Sequence, residues 1–173
     1  MALDQVNLGL LILRVAVGGT MMLHGYNHVF RGGKIPGTGR WFESLGMKPG
    51  VLHAWLASGT ELAAGAGLVV GLLTPLAAGA CAGVMLVALI ANHRKNGFFI
   101  FRPGEGYEYV LNLAVACFAI ACIGPGQWSI DHAIDLTFND WWGLILALII
   151  GVGGTIALLA TFWRPPAPKP AEV

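Results

Sequence analysis

The chain has 173 residues, of which 56% are hydrophobic and only 11% are charged, and its formal net charge is +1. A soluble domain typically carries about 25% charged residues, so this composition is too apolar for a protein that faces water on all sides. The near-neutral charge gives no basis for nucleic-acid binding. The composition therefore favours an integral membrane protein.

The three cysteines, Cys81, Cys117 and Cys122, lie within apolar runs and show no CxxC spacing. An odd number of cysteines in such surroundings is typical of small core residues. It does not predict a disulfide framework or a metal knuckle.

Five apolar segments are candidates for transmembrane helices, since crossing the hydrocarbon core takes about 20 residues. They occupy residues 6–30, 51–73, 76–92, 107–123 and 142–163. Thr74-Pro75 separates the second from the third because proline cannot continue a helix but is tolerated at a helix start. Gly124-Pro125-Gly126 ends the fourth. The prediction is an all-α membrane protein, with a four-helix bundle in residues 1–126 and a fifth transmembrane helix.

Three segments lie between or after these spans. Residues 39–47 place Trp41, Phe42 and Leu45 at helical spacing, which predicts a short helix in the headgroup layer. Residues 130–138, within an acidic connection at 127–141, repeat apolar side chains every four residues and predict a similar helix. The fifth helix (142–164) is followed by the Pro-rich residues 165–173, which predict an extended tail.

The charges sort by side if all five segments cross a membrane. One side receives nine of the ten basic residues: Arg31, Lys34, Arg40, Lys48, Arg94, Lys95, Arg102, Arg164 and Lys169. The other side receives Asp4, Asp131, Asp135 and Asp140 and no basic residue. Because Lys and Arg hold short loops in the cytoplasm, this pattern predicts an external N-terminus and a cytoplasmic C-terminus.

The tenth basic residue, Arg14, lies inside the first span, and Glu61 lies near the middle of the second. At 1.5 Å rise per residue, the height of Glu61 falls between Arg14 and His24. A long Arg side chain can close the remaining distance, so we expect an ion pair between Arg14 and Glu61. The residues leave open whether this pair only fixes neighbouring helices or also handles ligands and protons.

Other polar side chains gather toward the basic side of the spans. We expect them to line a cavity that opens to the cytoplasm, with Arg14, His24, Glu61, Glu108, Tyr109 and Asn112 as its residues. His24 and His93 lie at similar depth, so a pair of axial haem ligands is an alternative. The ExxH and CxxC spacings are absent, and no metal site is predicted. No Gly-rich phosphate loop indicates a nucleotide cofactor.

Residues 8–131 contain several short motifs in a characteristic order. A lone Arg14 precedes His24-Gly25 in the first span, and the second contains Glu61 and ends in Gly-Leu-Leu-Thr-Pro. Asn-Gly-Phe-Phe follows the third, and Tyr-Glu-Tyr opens the fourth, which Gly-Pro-Gly closes. The chain in this respect resembles the DoxX family of bacterial inner-membrane proteins.

The resemblance implies a four-helix bundle in a bacterial inner membrane. The family's recurrent polar positions correspond to Arg14, His24, Glu61, Glu108 and Tyr109. Where the family often has a Lys shortly after His-Gly, this chain has His28, which is not a permanent cation.

The resemblance also implies an association with redox chemistry, since the family's name is similar to that of subunits of thiosulfate:quinone oxidoreductase. Some relatives are linked to a complex with superoxide dismutase and a rhodanese-like sulfurtransferase. The first hypothesis is thus a subunit that works as an oxidoreductase only with a partner and binds a quinone or a small sulfur compound. Glu61 and Glu108 would then relay protons, while His24 and Tyr109 would hydrogen-bond a carbonyl.

The alternative is a non-catalytic scaffold or accessory subunit that docks or assembles a partner complex. Its working surfaces would be the small-residue helix faces and the two amphipathic connections. A transporter ranks lower because we find no internal repeat. Under each hypothesis the lipid bilayer is a partner, together with other subunits or further copies of the chain.

Overall fold

The structure, a computed structural model, describes residues 3–136, 138 and 141–166, which form an all-α fold without a β-strand. The helices are α1 (Leu3–Phe30), α2 (Lys34–Ser44), α3 (Gly50–Val70), α4 (Thr74–Asn96), α5 (Glu108–Ile123), α6 (Ile130–Ala133) and α7 (Trp142–Phe162). The acidic Asp140, the basic Lys169 and most of the Pro-rich segment lie outside the described residues.

Three helices, α1, α4 and α7, are long and apolar enough to cross a membrane. The fourth predicted span, α5, is apolar but has only 16 residues. The second, α3, has 21 residues but includes His53 and Glu61, both buried. Large aliphatic side chains cover the outside, as at Ile12 (60% exposed), Ile149 (62%) and Ile156 (64%). Such a surface suits lipid, so the helices indicate a membrane protein.

Small residues set the helix–helix distances. A Cβ added to Gly65 of α3 would lie 2.7 Å from the carbonyl oxygen of Gly18 on α1. One added to Gly79 of α4 would lie 2.9 Å from backbone atoms of Ala147 on α7. Close backbone contact of this kind supplies van der Waals attraction where lipid offers no hydrophobic drive. α4 therefore packs centrally, against α3, α5 and α7.

The acidic end of the bundle is held together by Asp131. Its carboxylate accepts hydrogen bonds from the backbone N–H groups of Leu73 (2.7 Å) and Thr74 (2.8 Å), which caps the start of α4. Asp131 is fully buried by this contact. The interfacial helix predicted over residues 130–138 is consequently a single turn, α6, because its acidic residue turns inward to α4.

The basic end is closed by a contact between α7 and the connection from α2 to α3. Trp163 donates from Nε1 to the carbonyl oxygen of Leu45 at 2.9 Å, and the N–H of Arg164 donates to the carbonyl of Gly46 at 2.9 Å. The short helix predicted near residues 39–47 is α2, which begins earlier, at Lys34.

The cysteines divide between two environments. Cys81 and Cys117 are fully buried in the core between α4 and α5, whereas Cys122 is exposed on α5. The expectation of three core cysteines was wrong for Cys122. Successive helical residues are rotated by about 100°, so Cys122 turns outward one residue after the buried Ala121.

Candidate functional site

The helices enclose a cavity of about 360 Å³ toward the basic end of the bundle. Its walls come from α1, α2, α3, α4 and α7, with one side chain from α5, and most of them are aliphatic or aromatic. The polar lining residues are His24, His28, His53, Thr60, Glu61, Asn92, His93, Tyr109 and Thr155. An apolar pocket with a few convergent polar groups is the usual form of a small-molecule site.

Glu61 is the acidic side chain of this lining. It is only 3% exposed, and its Oε2 atom is buried without a hydrogen-bond partner in the described part of the chain. The nearest basic atom is Nε2 of His28, at 3.8 Å from Oε2. A buried acceptor left without a donor costs about 1–3 kcal/mol, so a carboxyl group on a cavity wall is placed to accept a hydrogen bond from an occupant.

A second polar group joins α4 to α5. Nδ1 of His93 lies 2.9 Å from the carbonyl oxygen of Glu105, and Nε2 lies 3.0 Å from the hydroxyl of Tyr109. The amide of Asn92 approaches the same Nε2 at 3.2 Å. His93 is 3% exposed, so its ring is held on both sides by these contacts and cannot rotate freely.

Two other histidines of the lining, His24 and His28, stack on aromatic rings. The His24 ring lies nearly parallel to that of Tyr109, with centroids 6.4 Å apart and an interplanar angle of 6°. The His28 ring stacks on Trp41 of α2, at 6.3 Å. Both rings line the cavity, so imidazole nitrogens are available to an occupant.

Both π-helical segments of the described chain lie at this cavity. In α4 the segment Leu89–His93 supplies Asn92 and His93 to the lining, and in α7 the segment Ile149–Gly153 supplies Ile150. A π-bulge shifts the side chains that follow it and occurs often at functional sites. Here the bulge in α4 brings His93 within reach of Tyr109.

The ion pair expected between Arg14 and Glu61 does not form. Glu61 packs at the level of Gly25, whose added Cβ would lie 3.1 Å from that of Glu61. Gly25 lies eleven residues beyond Arg14, about 16 Å along α1. Arg14 instead donates to the carbonyl of Leu68 at 3.3 Å and to that of Trp128. The negative charge of Asp131 attracts its guanidinium.

Arg14 is thus a fully buried residue of the acidic end, outside the cavity. Its guanidinium lies against the backbone of Gly71, where an added Cβ would overlap it. The sequence argument failed because α3 begins beyond the end of α1 at the basic end. Equal distances from the two helix ends therefore did not mean equal heights.

Glu108 and Asn112 also lie outside the cavity. Oε2 of Glu108 accepts from the N–H of Ile100 at 3.2 Å and so holds the loop before α5. Asn112 is exposed and donates to the carbonyl of Glu108 at 3.0 Å, one turn earlier on the same helix. Of the six residues expected to line the cavity, the structure brings together His24, Glu61 and Tyr109.

The sequence argument left His28, His53, Asn92 and His93 out of the cavity, although their position at helix ends on the basic side was visible. The π-helical turn that directs His93 toward Tyr109 has no sequence signature.

The contacts of His93 argue against the haem alternative. Both of its ring nitrogens are engaged by Glu105, Tyr109 and Asn92, so neither is free to bind iron. In the described residues no three His, Cys, Asp or Glu side chains form a metal-binding group.

A comparison with protein families finds a match to the DoxX family over residues 9–94, about half of the chain, from α1 through most of α4. No curated protein and no solved structure matches the chain.

Proposed function

Because this chain belongs to the DoxX family, we propose that it is a membrane subunit of a redox-linked complex and that its cavity binds the head group of a quinone. The observation that carries the proposal is Glu61, a buried carboxyl with an unpartnered oxygen on the wall of an apolar cavity. A quinone is lipid-soluble, and its reduced form carries the hydroxyl donors that Glu61 lacks.

The size and walls of the cavity support a ring-shaped ligand. Its volume of about 360 Å³ falls within the range of roughly 300–1,000 Å³ typical of small-molecule sites. Leu56 and Gly154 are exposed lining residues on α3 and α7, so an apolar tail can leave the cavity along the flank between these helices.

The lining favours a quinone over a small sulfur compound. Sulfur oxyanions are bound by cations and by clusters of N–H donors. Among the described residues no Lys or Arg lines this cavity.

Three of the polar lining residues have a role in this proposal. An imidazole N–H of His24 or His28 donates to a quinone carbonyl, and the Glu61 carboxylate accepts the hydroxyl proton of the quinol. His28, 3.8 Å from Glu61, is the next group that can take the proton. Electrons pass to or from a partner subunit, so the chain acts in catalysis only within a complex.

The scaffold alternative has less support from the packing. The small-residue faces proposed as docking surfaces are occupied within the chain, since Gly18 meets Gly65 and Gly79 meets Ala147. The aromatic residues of α2, Trp41 and Phe42, line the cavity.

The first prediction tests Glu61 by binding. Glu61→Gln keeps the shape of the side chain but removes the carboxylate, so we expect affinity for a short-chain hydroquinone to fall at least tenfold, in line with the loss of a charged hydrogen bond. Affinity is measured anaerobically by calorimetry on the purified protein. Asp4→Asn, which removes an exposed carboxylate at the acidic end, is the matched control and should bind as the wild type does. Equal affinity of Glu61→Gln and wild type would disprove this role of Glu61.

A further inference from the structure

A second, smaller cavity of about 170 Å³ lies at the basic end of the bundle. We refer to it as the basic pocket. Its lining comes from the end of α4, from the connection between α2 and α3, and from the segment that follows α7: Leu45, Ile90, Ala91, Arg94, Lys95, Trp163, Pro165 and Pro166. Leu45 and Ala91 also line the larger cavity, so the basic pocket adjoins it but presents two cations of its own.

The ring of Trp163 forms a fixed wall of the basic pocket. Its Nε1 donates to the carbonyl oxygen of Leu45 at 2.9 Å, and its backbone pairs with that of Met47. The guanidinium of Arg94 lies over this ring, with Cζ at 5.7 Å from the ring centroid. The cation–π contact holds Arg94 at the pocket without a carboxylate, and a guanidinium carries five N–H donors in a planar fork that suits a phosphate.

Arg94 and Lys95 have no acidic partner in the described part of the chain. The only ion pair closer than 4 Å there joins His28 to Glu61 in the larger cavity. The lining of the basic pocket contains no Asp or Glu, and both cations are exposed. The basic pocket is thus a concave site with two uncompensated positive charges, which favours an anionic ligand.

We propose that the basic pocket binds the phosphate of an anionic phospholipid. The sorting of Lys and Arg predicts that this end faces the cytoplasm, where anionic lipids make the bilayer surface negative, and basic pockets between transmembrane helices on that side bind lipid head groups. A volume of about 170 Å³ holds a phosphate but not a whole lipid. Ile90 lies one turn before Arg94, toward the membrane interior, so the acyl chains can extend past it into the bilayer.

Charge determines the class of lipid. A phosphocholine head group brings a quaternary ammonium, which the two cations would repel. Trp163, whose ring could attract that ammonium, already holds Arg94. A lipid with a net negative charge avoids this repulsion. A free phosphate would meet the same donors, but it lacks the acyl chains that concentrate a lipid at this depth. The inference goes beyond the proposed function and does not depend on it.

Native mass spectrometry of the full chain in a non-ionic detergent tests the selection by charge. The probes are dioleoyl phosphatidylglycerol and dioleoyl phosphatidylcholine, which share their acyl chains. Since each Lys or Arg near an anionic surface contributes severalfold to binding, we expect the first phosphatidylglycerol to bind at least about tenfold more tightly than phosphatidylcholine. Equal affinities would overturn the proposal.

A competition experiment separates a lipid from a soluble anion. Millimolar ammonium phosphate should not displace the bound phosphatidylglycerol more than ammonium acetate of the same ionic strength does. Specific displacement by phosphate would assign the basic pocket to a soluble anion and overturn the assignment to a lipid.

Arg94→Gln tests the residues of the basic pocket. It removes one cation and its planar fork, so we expect the affinity for phosphatidylglycerol to fall at least about fivefold. Arg102→Gln is the matched control, since Arg102 is an exposed cation of the same end that does not line the pocket. It should bind phosphatidylglycerol as the wild type does. An equal fall in both variants would indicate general attraction to the basic end and would overturn the proposal.

Lys95→Gln provides a second test, because Arg94 also contacts Trp163 and its replacement could disturb the fold. Lys95 is exposed, and its loss should lower the affinity for phosphatidylglycerol in the same direction. If Arg94→Gln does not fold, an unchanged affinity in Lys95→Gln overturns the proposal. None of these experiments involves Glu61 or a quinone, so a negative result leaves the proposed function in place.

Discussion

Arg14 shows how a membrane helix accommodates a buried cation without an adjacent carboxylate. Its guanidinium donates to the carbonyl groups of Leu68 and Trp128, and the charge of Asp131 favours it from farther away. These contacts join α1 to the end of α3 and to the segment before α6. The residue therefore stabilises the acidic end of the bundle and lies apart from the cavity.

Replacing Arg14 should accordingly affect stability and leave the cavity intact. Arg14→Met leaves two carbonyl groups without a donor and Asp131 without its favourable charge, so we expect a loss of roughly 3 kcal/mol or more in the free energy of unfolding. Thermal unfolding in detergent measures it. The folded variant, well below its melting temperature, should bind the hydroquinone as the wild type does.

The control for this prediction is Lys95→Met. Lys95 is an exposed cation at the basic end, and its removal should change stability by no more than about 0.5 kcal/mol. If Arg14→Met weakened hydroquinone binding while its melting temperature stayed unchanged, the assignment of Arg14 to the acidic end alone would be wrong.

The sequence identifies some residues of the cavity but not the contacts of Arg14. That Glu61, His24 and Tyr109 are polar and lie in apolar segments is visible directly, and the structure places all three on one cavity. The partner of Arg14 was not predictable, because helical rise gives a height along one helix but neither the offset between helices nor the return of residues 127–131 onto the bundle.

At the scale of helices, α7 depends on its contact with α4. The added Cβ in Gly79→Ala would come within 2.9 Å of the Ala147 backbone, and backbone atoms cannot move aside without shifting α7. We expect a loss of about 1–3 kcal/mol, as for overpacking elsewhere. Because α7 carries a wall of the cavity, affinity for the hydroquinone should also fall.

Gly153→Ala is the matched control on α7. An added Cβ there meets nothing within 4 Å, and alanine is the better helix former by about 1 kcal/mol. Its melting temperature in detergent should equal or exceed that of the wild type. Equal behaviour of the two alanine variants would refute the close packing of α4 on α7.

Helix boundaries were partly predictable. Thr74-Pro75 forms the start of α4, and Gly124 follows the last residue of α5, because proline and glycine act on the backbone locally. The single turn of α6 could not be predicted, since Asp131 within it bonds to the distant start of α4. The two π-helical segments have no sequence signature.

At the scale of the whole molecule, the basic residues of the described chain, other than Arg14, lie at one end. The sorting by charge predicts that this end faces the cytoplasm. With the exposed Cys122 changed to serine, Lys95→Cys and His132→Cys place single accessible thiols at the basic and acidic ends. In intact cells a membrane-impermeant maleimide should label His132→Cys, and it should label Lys95→Cys only after permeabilisation. The reverse pattern would invert the proposed orientation.

The capping of α4 by Asp131 has a consequence for biogenesis. During translation the amides of Leu73 and Thr74 emerge well before the carboxylate that satisfies them, since Asp131 follows Thr74 by 57 residues. A nascent chain that has inserted its first two hairpins must leave those amides to water at the membrane surface. The start of α4 is completed only when the ribosome has delivered the segment beyond α5, so a truncated product ending there would keep that end of the helix hydrated and frayed.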